Sequence, residues 1–128
     1  MKKILIVDDI KGWRDYHAAR ISELFPDCEI TTADSARAGY DTLFENNDSP
    51  FECIITDMQM EEDFEPLYAG EWFIEQIKSF KNYSKTKIVI ISAAYNINFI
   101  AEKYKVEYIR KPTARNFPEI YKEVLINN

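Results

Sequence analysis

Five short segments rich in β-branched and other apolar residues mark the chain: Lys3-Ile4-Leu5-Ile6-Val7, then residues 28–33, 51–56, 88–91 and 106–109. Runs with little polar interruption predict strands buried on both faces, the pattern of a parallel sheet. Between them the apolar spacing changes to three and four, the period of a helix. Trp13, His17, Ile21 and Leu24 define the first such stretch, closed by Pro26. Asp34-Ser35 offers N-cap oxygens to a second, running through Ala36, Tyr40, Leu43 and Phe44. Gly70 opens a third, with Trp72 or Phe73, Ile74, Ile77 and Phe80 on its apolar face. Ile97, Ile100, Ala101 and Tyr104 predict a short fourth helix. Pro118 suits the first turn of a last one, which buries Ile120, Tyr121, Val124 and Leu125. Asn46 to Pro50 and Asn82 to Lys85 are turn clusters, and the acidic, non-periodic residues 61–69 are expected to form a loop. Strand and helix therefore alternate five times. That alternation predicts one α/β domain over residues 1–128, a parallel sheet with helices on both faces and right-handed crossovers.

Composition narrows the function classes. The chain has 128 residues, 46% hydrophobic and 30% charged, with a net charge of −6. That charge disfavours a nucleic-acid surface, and no Lys/Arg cluster offsets it. The apolar runs are too short to span a bilayer, and Met1-Lys2-Lys3 leads directly into a strand and not into a signal peptide's apolar segment. Cys28 and Cys53 have neither close spacing nor a histidine beside them, so reduced thiols are expected and not a zinc site. These features point to a cytoplasmic protein. His17, the one histidine, is expected to be partly buried beside the first helical stripe, with no role in catalysis.

The candidate chemistry lies where strands end. In a parallel sheet every carboxyl end falls on one edge, where ligand and catalytic groups gather. That edge would carry Asp8 and Asp9 after the first strand, Asp57 after the third, Ser92 after the fourth and Lys111 after the fifth. Taken singly, each has a plain structural explanation: a strand end, a helix cap, a loop hydroxyl, a solvated lysine. Together they form a chemical set. Crowded carboxylates raise one another's pKa unless a cation lies among them. With oxygen donors and no imidazole or thiolate, the fitting ion is magnesium. A carboxylate at such a centre can attack phosphorus and become an acyl phosphate, with Lys111 and Ser92 serving the phosphoryl oxygens.

These residues resemble, in order and over nearly the whole chain, the receiver domains of two-component response regulators. The match rests on Asp8-Asp9, Asp57 within Thr-Asp-Met-Gln-Met, Ser92-Ala93, Lys111-Pro112, and Tyr108 three residues before the lysine. The resemblance implies a flavodoxin-like doubly wound fold with strand order 2-1-3-4-5. It implies that Asp57 accepts a phosphoryl group from a sensor histidine kinase or phosphotransfer protein. Asp8, Asp9, Asp57 and the backbone carbonyl of Gln59 would hold Mg2+, and Lys111 would pair with the phosphoryl oxygens. Ser92 and Tyr108 would act as the switch that alters a surface for a downstream protein. Such a protein is a phosphoacceptor switch and not an enzyme acting on a separate substrate.

The sequence departs from the family text after Met60, where Glu61 replaces a proline and Gly70 arrives about five residues late. The stretch from Ser92 to Lys111 is also shorter than usual, which implies a short or displaced fourth helix. No linker or DNA-binding helices follow before Asn128, so the expectation is a free-standing receiver or a piece of a longer protein. Two alternatives remain: a degenerate receiver that binds proteins without phosphate control, and a magnesium aspartyl phosphohydrolase. The latter would want an acid two residues beyond the nucleophile, where Gln59 stands.

Overall fold

A computed structural model describes residues 1–60 and 68–126. Its five strands are β1 (Lys3–Val7), β2 (Glu29–Ala33), β3 (Cys53–Thr56), β4 (Lys87–Ser92) and β5 (Glu107–Arg110). They form one sheet in the order β2-β1-β3-β4-β5, and all four pairings are parallel. Both the strand order and the alternation match the expectation. The helices among the described residues are α1 (Lys11–Leu24), α2 (Ala36–Glu45), α3 (Ala69–Ser79), α4 (Ile97–Tyr104), α5 (Lys111–Asn116) and α6 (Glu119–Leu125). A 3-10 turn at Lys81–Tyr83 precedes β4.

Successive strand residues face opposite sides of the sheet, so each continuous apolar run feeds two cores at once. Leu5, Val7, Ile54, Ile88 and Ile90 pack with Leu43 of α2, Phe73, Ile74 and Ile77 of α3, and Ile97 of α4. Ile4, Ile6, Cys53, Ile55, Val89 and Ile91 pack on the other side with Ile21 of α1 and Tyr121, Val124 and Leu125 of α6. Of the two residues considered for the face of α3, Phe73 is the buried one and Trp72 lies at its margin.

Local chemistry sets the helix ends. Ser35 Oγ accepts from the Ala38 amide at 3.0 Å, the cap expected from the sequence. Glu71 Oε2 accepts from the Tyr68 amide at the start of α3, one residue before the expected start. The expected acidic loop lies, through residue 67, outside the described residues. One element differs from expectation. The chain does not simply close β5 at Lys111-Pro112 but turns directly into the six residues of α5. Pro112 sits in its first turn, where a missing N–H costs no hydrogen bond.

Gly70 presses α3 onto the chain just past β3. Its amide donates to the Met58 carbonyl at 2.9 Å. A Cβ at Gly70 would lie 2.6 Å from Met58 Cα and closer still to the Asp57 carbonyl oxygen. Gly70→Ala should therefore lower the unfolding free energy by about 1–3 kcal/mol. Gly12→Ala, in the exposed first turn of α1 with nothing within 4 Å, should be neutral or gain up to about 1 kcal/mol. Urea titration of both variants checks this. Equal stabilities would show that the α3 contact yields freely.

Candidate functional site

Register brings the acids together. Val7 pairs with Thr56, and the Asp57 amide continues that ladder to the Val7 carbonyl at 3.0 Å, so Asp8 and Asp57 leave adjacent strands side by side. Thr56 pairs with Ile90, two residues before Ser92. Ser92 in turn pairs with Arg110, immediately before Lys111. The residues singled out at four strand ends therefore share one edge.

Asp8, Asp57, Ser92 and Lys111 are buried, each no more than 6% exposed. Carboxylate oxygens of Asp8, Asp9 and Asp57 all lie within 4.8 Å of one another. Lys111 Nζ lies 2.7 Å from Asp57 Oδ2 and 3.1 Å from Asp8 Oδ2. The other Asp57 oxygen, Oδ1, accepts from the Met58 amide at 2.6 Å and the Gln59 amide at 3.3 Å. Asp8 Oδ1 accepts from the Ile10 amide at 2.9 Å. Burial raises the Asp8 pKa, and the neighbouring Asp57 adds to the rise. The Ile10 amide and Lys111 oppose it. Lys111 thus bridges two of the three acids on this edge.

The donor set fits a hard divalent cation. Every candidate ligand is an oxygen, from the carboxylates of Asp8, Asp9 and Asp57 or the Gln59 carbonyl, and Asp8 Oδ2 is buried without a well-directed hydrogen bond despite Lys111 at 3.1 Å. Gln59 is exposed beside the acids, with its amide turned to Asp57. Ser92 Oγ accepts from the Ala94 amide at 3.2 Å, which leaves its own proton for another acceptor. Tyr108 stands apart from this set. It is 40% exposed on β5, and its ring faces the Arg110 guanidinium at 5.8 Å.

Several residues near the site carried no sequence signal. Arg14 Nη1 donates to the Asp8 carbonyl at 2.7 Å. The Trp13 ring lies 5.1 Å from Lys111 Nζ. With Ala93, Lys111, Pro112, Arg115 and Asn116, Trp13 lines a cleft of about 460 Å3. His17 is almost fully buried, where the sequence predicted partial burial. Its Nδ1 is 2.6 Å from the Tyr121 hydroxyl and its Nε2 is 3.9 Å from Asp8 Oδ2. Burial, and next Lys111, lower its pKa to about 3. The Trp13/His17 spacing of four was legible as a helical pair, but Tyr121 is 104 residues away from His17 and nothing local announces it.

Removing Lys111 isolates the electrostatics. Lys111→Met leaves two buried carboxylates without their cation and should cost on the order of 3 kcal/mol of stability, with the protein still folded at 25 °C. Magnesium chloride should restore part of the lost thermal midpoint, because a ligand of the folded state stabilises it. An unchanged midpoint in Lys111→Met would mean that solvent, not this lysine, compensates the acids.

No family model and no curated protein matches the sequence. Solved structures do. The chemotaxis protein CheY4 of Vibrio cholerae is 19% identical with a TM-score of 0.73, over 97% of this chain and 98% of that one. The response regulator TrrA of Thermotoga maritima is 24% identical with a TM-score of 0.76, over 98% and 97%. The cyanobacterial phytochrome response regulator RcpA is 18% identical with a TM-score of 0.77, over 99% and 96%. Matched over nearly its whole length to structures of this kind, the chain has the receiver-domain fold of response regulators.

Proposed function

We propose that this protein is a phosphorylation-controlled signalling receiver in which Asp57 is the phosphoacceptor. One observation carries the reading. Asp57 sits against Lys111 at 2.7 Å and among three carboxylates within 4.8 Å, at the edge where this fold gathers its chemistry. The TrrA structure is of a complex with magnesium and a beryllofluoride, and the RcpA structure is phosphorylated. Both likenesses favour the same use of the shared edge.

The step is a transfer to a carboxylate. An Asp57 oxygen attacks the phosphorus of a phosphohistidine on a kinase or phosphotransfer protein. The P–O bond forms, the P–N bond breaks, and the imidazole leaves with a proton taken from water or from its own protein. Mg2+ held by Asp8, Asp9, Asp57 and the Gln59 carbonyl would supply positive charge for the oxygens of the transferring group. Lys111 already faces Asp57 Oδ2 and needs only to shift from carboxylate to phosphoryl oxygen. Ser92, whose hydroxyl proton is uncommitted to the Ala94 amide, donates to a second oxygen. Its displacement toward the phosphoryl group leaves room beside β5, into which Tyr108 turns from its exposed position. The turned ring changes the surface offered to a downstream protein. Among the described residues no helix is long and apolar enough to cross a membrane. The net charge of −6 makes a protein partner the better fit than nucleic acid.

Incubation with acetyl phosphate and Mg2+, read by intact mass, tests the assignment. Wild type should gain one phosphoryl group in a magnesium-dependent way, and Asp57→Asn should gain none. Equal labelling of Asp57→Asn would move the acceptor elsewhere. No labelling of either would leave a phosphate-independent interaction module. Tyr108→Ala should keep wild-type labelling while losing the phosphorylation-dependent change in amide exchange along α4 and β5. Retention of that change would remove Tyr108 from the switch.

A further inference from the structure

The helix that follows the acidic pair carries a buried polar chain for which neither the fold nor the phosphoacceptor chemistry accounts. His17 of α1 and Tyr121 of α6 are each at most 1% exposed, and they meet at 2.6 Å between Nδ1 and the hydroxyl. Trp13 lies tilted against the imidazole at 5.4 Å between centroids, and Tyr16 lies against Tyr121 at 6.3 Å. The far nitrogen, Nε2, faces Asp8 Oδ2 at 3.9 Å. That oxygen is buried without a well-directed hydrogen bond.

Donor bookkeeping orders this chain. Burial pushes the Tyr121 hydroxyl pKa up, so it keeps its proton. Among the described residues its hydrogen-bond partner is His17 Nδ1. If Tyr121 donates there, Nδ1 is an acceptor, and a neutral ring must carry its proton on Nε2. The N–H is then on the nitrogen 3.9 Å from Asp8 Oδ2. The opposite tautomer would aim a lone pair at that oxygen and leave it with no donor on this side. Outer groups that hydrogen-bond a metal's ligands fix their orientation and basicity.

We propose that His17, held by Tyr121 as its Nε2–H tautomer, is a positioning residue that orients Asp8 Oδ2 for the divalent cation. The assignment rests on the phosphoacceptor reading, because it presumes that Asp8 binds Mg2+. It ties the fit of the cation site to the packing of α1 against α6, on the face of the sheet away from α3 and α4. At 3.9 Å the Nε2–Oδ2 pair lies beyond hydrogen-bond distance, so His17 acts on Asp8 through the field of its N–H and not through a formed bond.

Two measurements test it. Calorimetric titration with magnesium chloride compares wild type with His17→Leu, His17→Gln and Tyr121→Phe, with circular dichroism as the folding control. His17→Leu should weaken Mg2+ binding about tenfold. His17→Gln, whose amide reaches the same oxygen, should recover most of that loss, and Tyr121→Phe should fall between them. Undiminished affinity in His17→Leu overturns the assignment while leaving the phosphoacceptor reading intact. A Gln variant as weak as the Leu variant also overturns it, because the histidine would then act by shape alone. No Mg2+ binding by wild type overturns both. The second measurement needs no variant: imidazole nitrogen and carbon shifts of wild type should report the Nε2–H tautomer. The Nδ1–H tautomer would refute the proposal even if His17→Leu failed to fold.

Discussion

Among the described residues Lys111 is the lysine paired with the buried carboxylates of Asp8 and Asp57 at the carboxyl edge of the sheet, and the charge balance of that edge depends on it. A carboxylate taken out of water is stable only if paired or well hydrogen-bonded. Asp57 meets that condition twice, through the Met58 amide on one oxygen and Lys111 on the other. Asp8 meets it incompletely: Oδ1 has the Ile10 amide, and Oδ2 has Lys111 at 3.1 Å without good direction. The strain falls on the acid whose pKa burial raises. The turn after β5 delivers Lys111 while β1 and β3 deliver the acids, so the contact depends on the sheet bringing the ends of these three strands to one edge.

Most of the fold was legible because its three central strands, β1, β3 and β4, are almost purely apolar. The runs at Lys3–Val7 and Lys87–Ser92 have no local competitor to a doubly buried strand, and the order of strand-end residues revealed the candidate site. What stayed hidden has a common cause. Residues 111–116 fold as α5 with only Lys111 and Ala114 buried, too few to make a helical stripe. His17 resembles a polar residue flanking a helix until Tyr121, Trp13 and Asp8 close around it. Glu71, which carried no sequence signal, is buried in the first turn of α3, accepting from the Tyr104 hydroxyl at 3.0 Å beside Lys103 Nζ at 3.3 Å. In each case the partners come from distant elements, and periodicity reports only neighbours along the chain.

The late glycine is the instructive departure. Read against the usual spacing after Met60, Gly70 looked displaced by inserted residues. In space it reaches the contact that matters, close against the backbone of Asp57 and Met58. Loop closure entropy grows slowly with length, so a chain can lengthen between two fixed points at small cost. The fixed points here are the end of β3 and the first turn of α3, where no side chain fits. Position along the sequence was negotiable, and the close approach was not.

Two helices on opposite faces of the sheet thus reach the same edge by different means. On one face, α3 touches it through backbone: Gly70 lies on Asp57–Met58, and the adjacent Glu71 holds Tyr104 at the end of α4. On the other, α1 touches it through side chains: Arg14 on the Asp8 carbonyl, His17 toward the Asp8 carboxylate, Trp13 over Lys111. A packed interior does not absorb displacement in voids. Asp8, Asp57 and Lys111 therefore meet a backbone contact on the α3 side and the side chains of Arg14, His17 and Trp13 on the α1 side. The first is continuous with α4 through Glu71 and Tyr104, and the second with α6 through His17 and Tyr121. That asymmetry follows from which residue type stands at each contact: a glycine with no side chain to move, and a histidine with one.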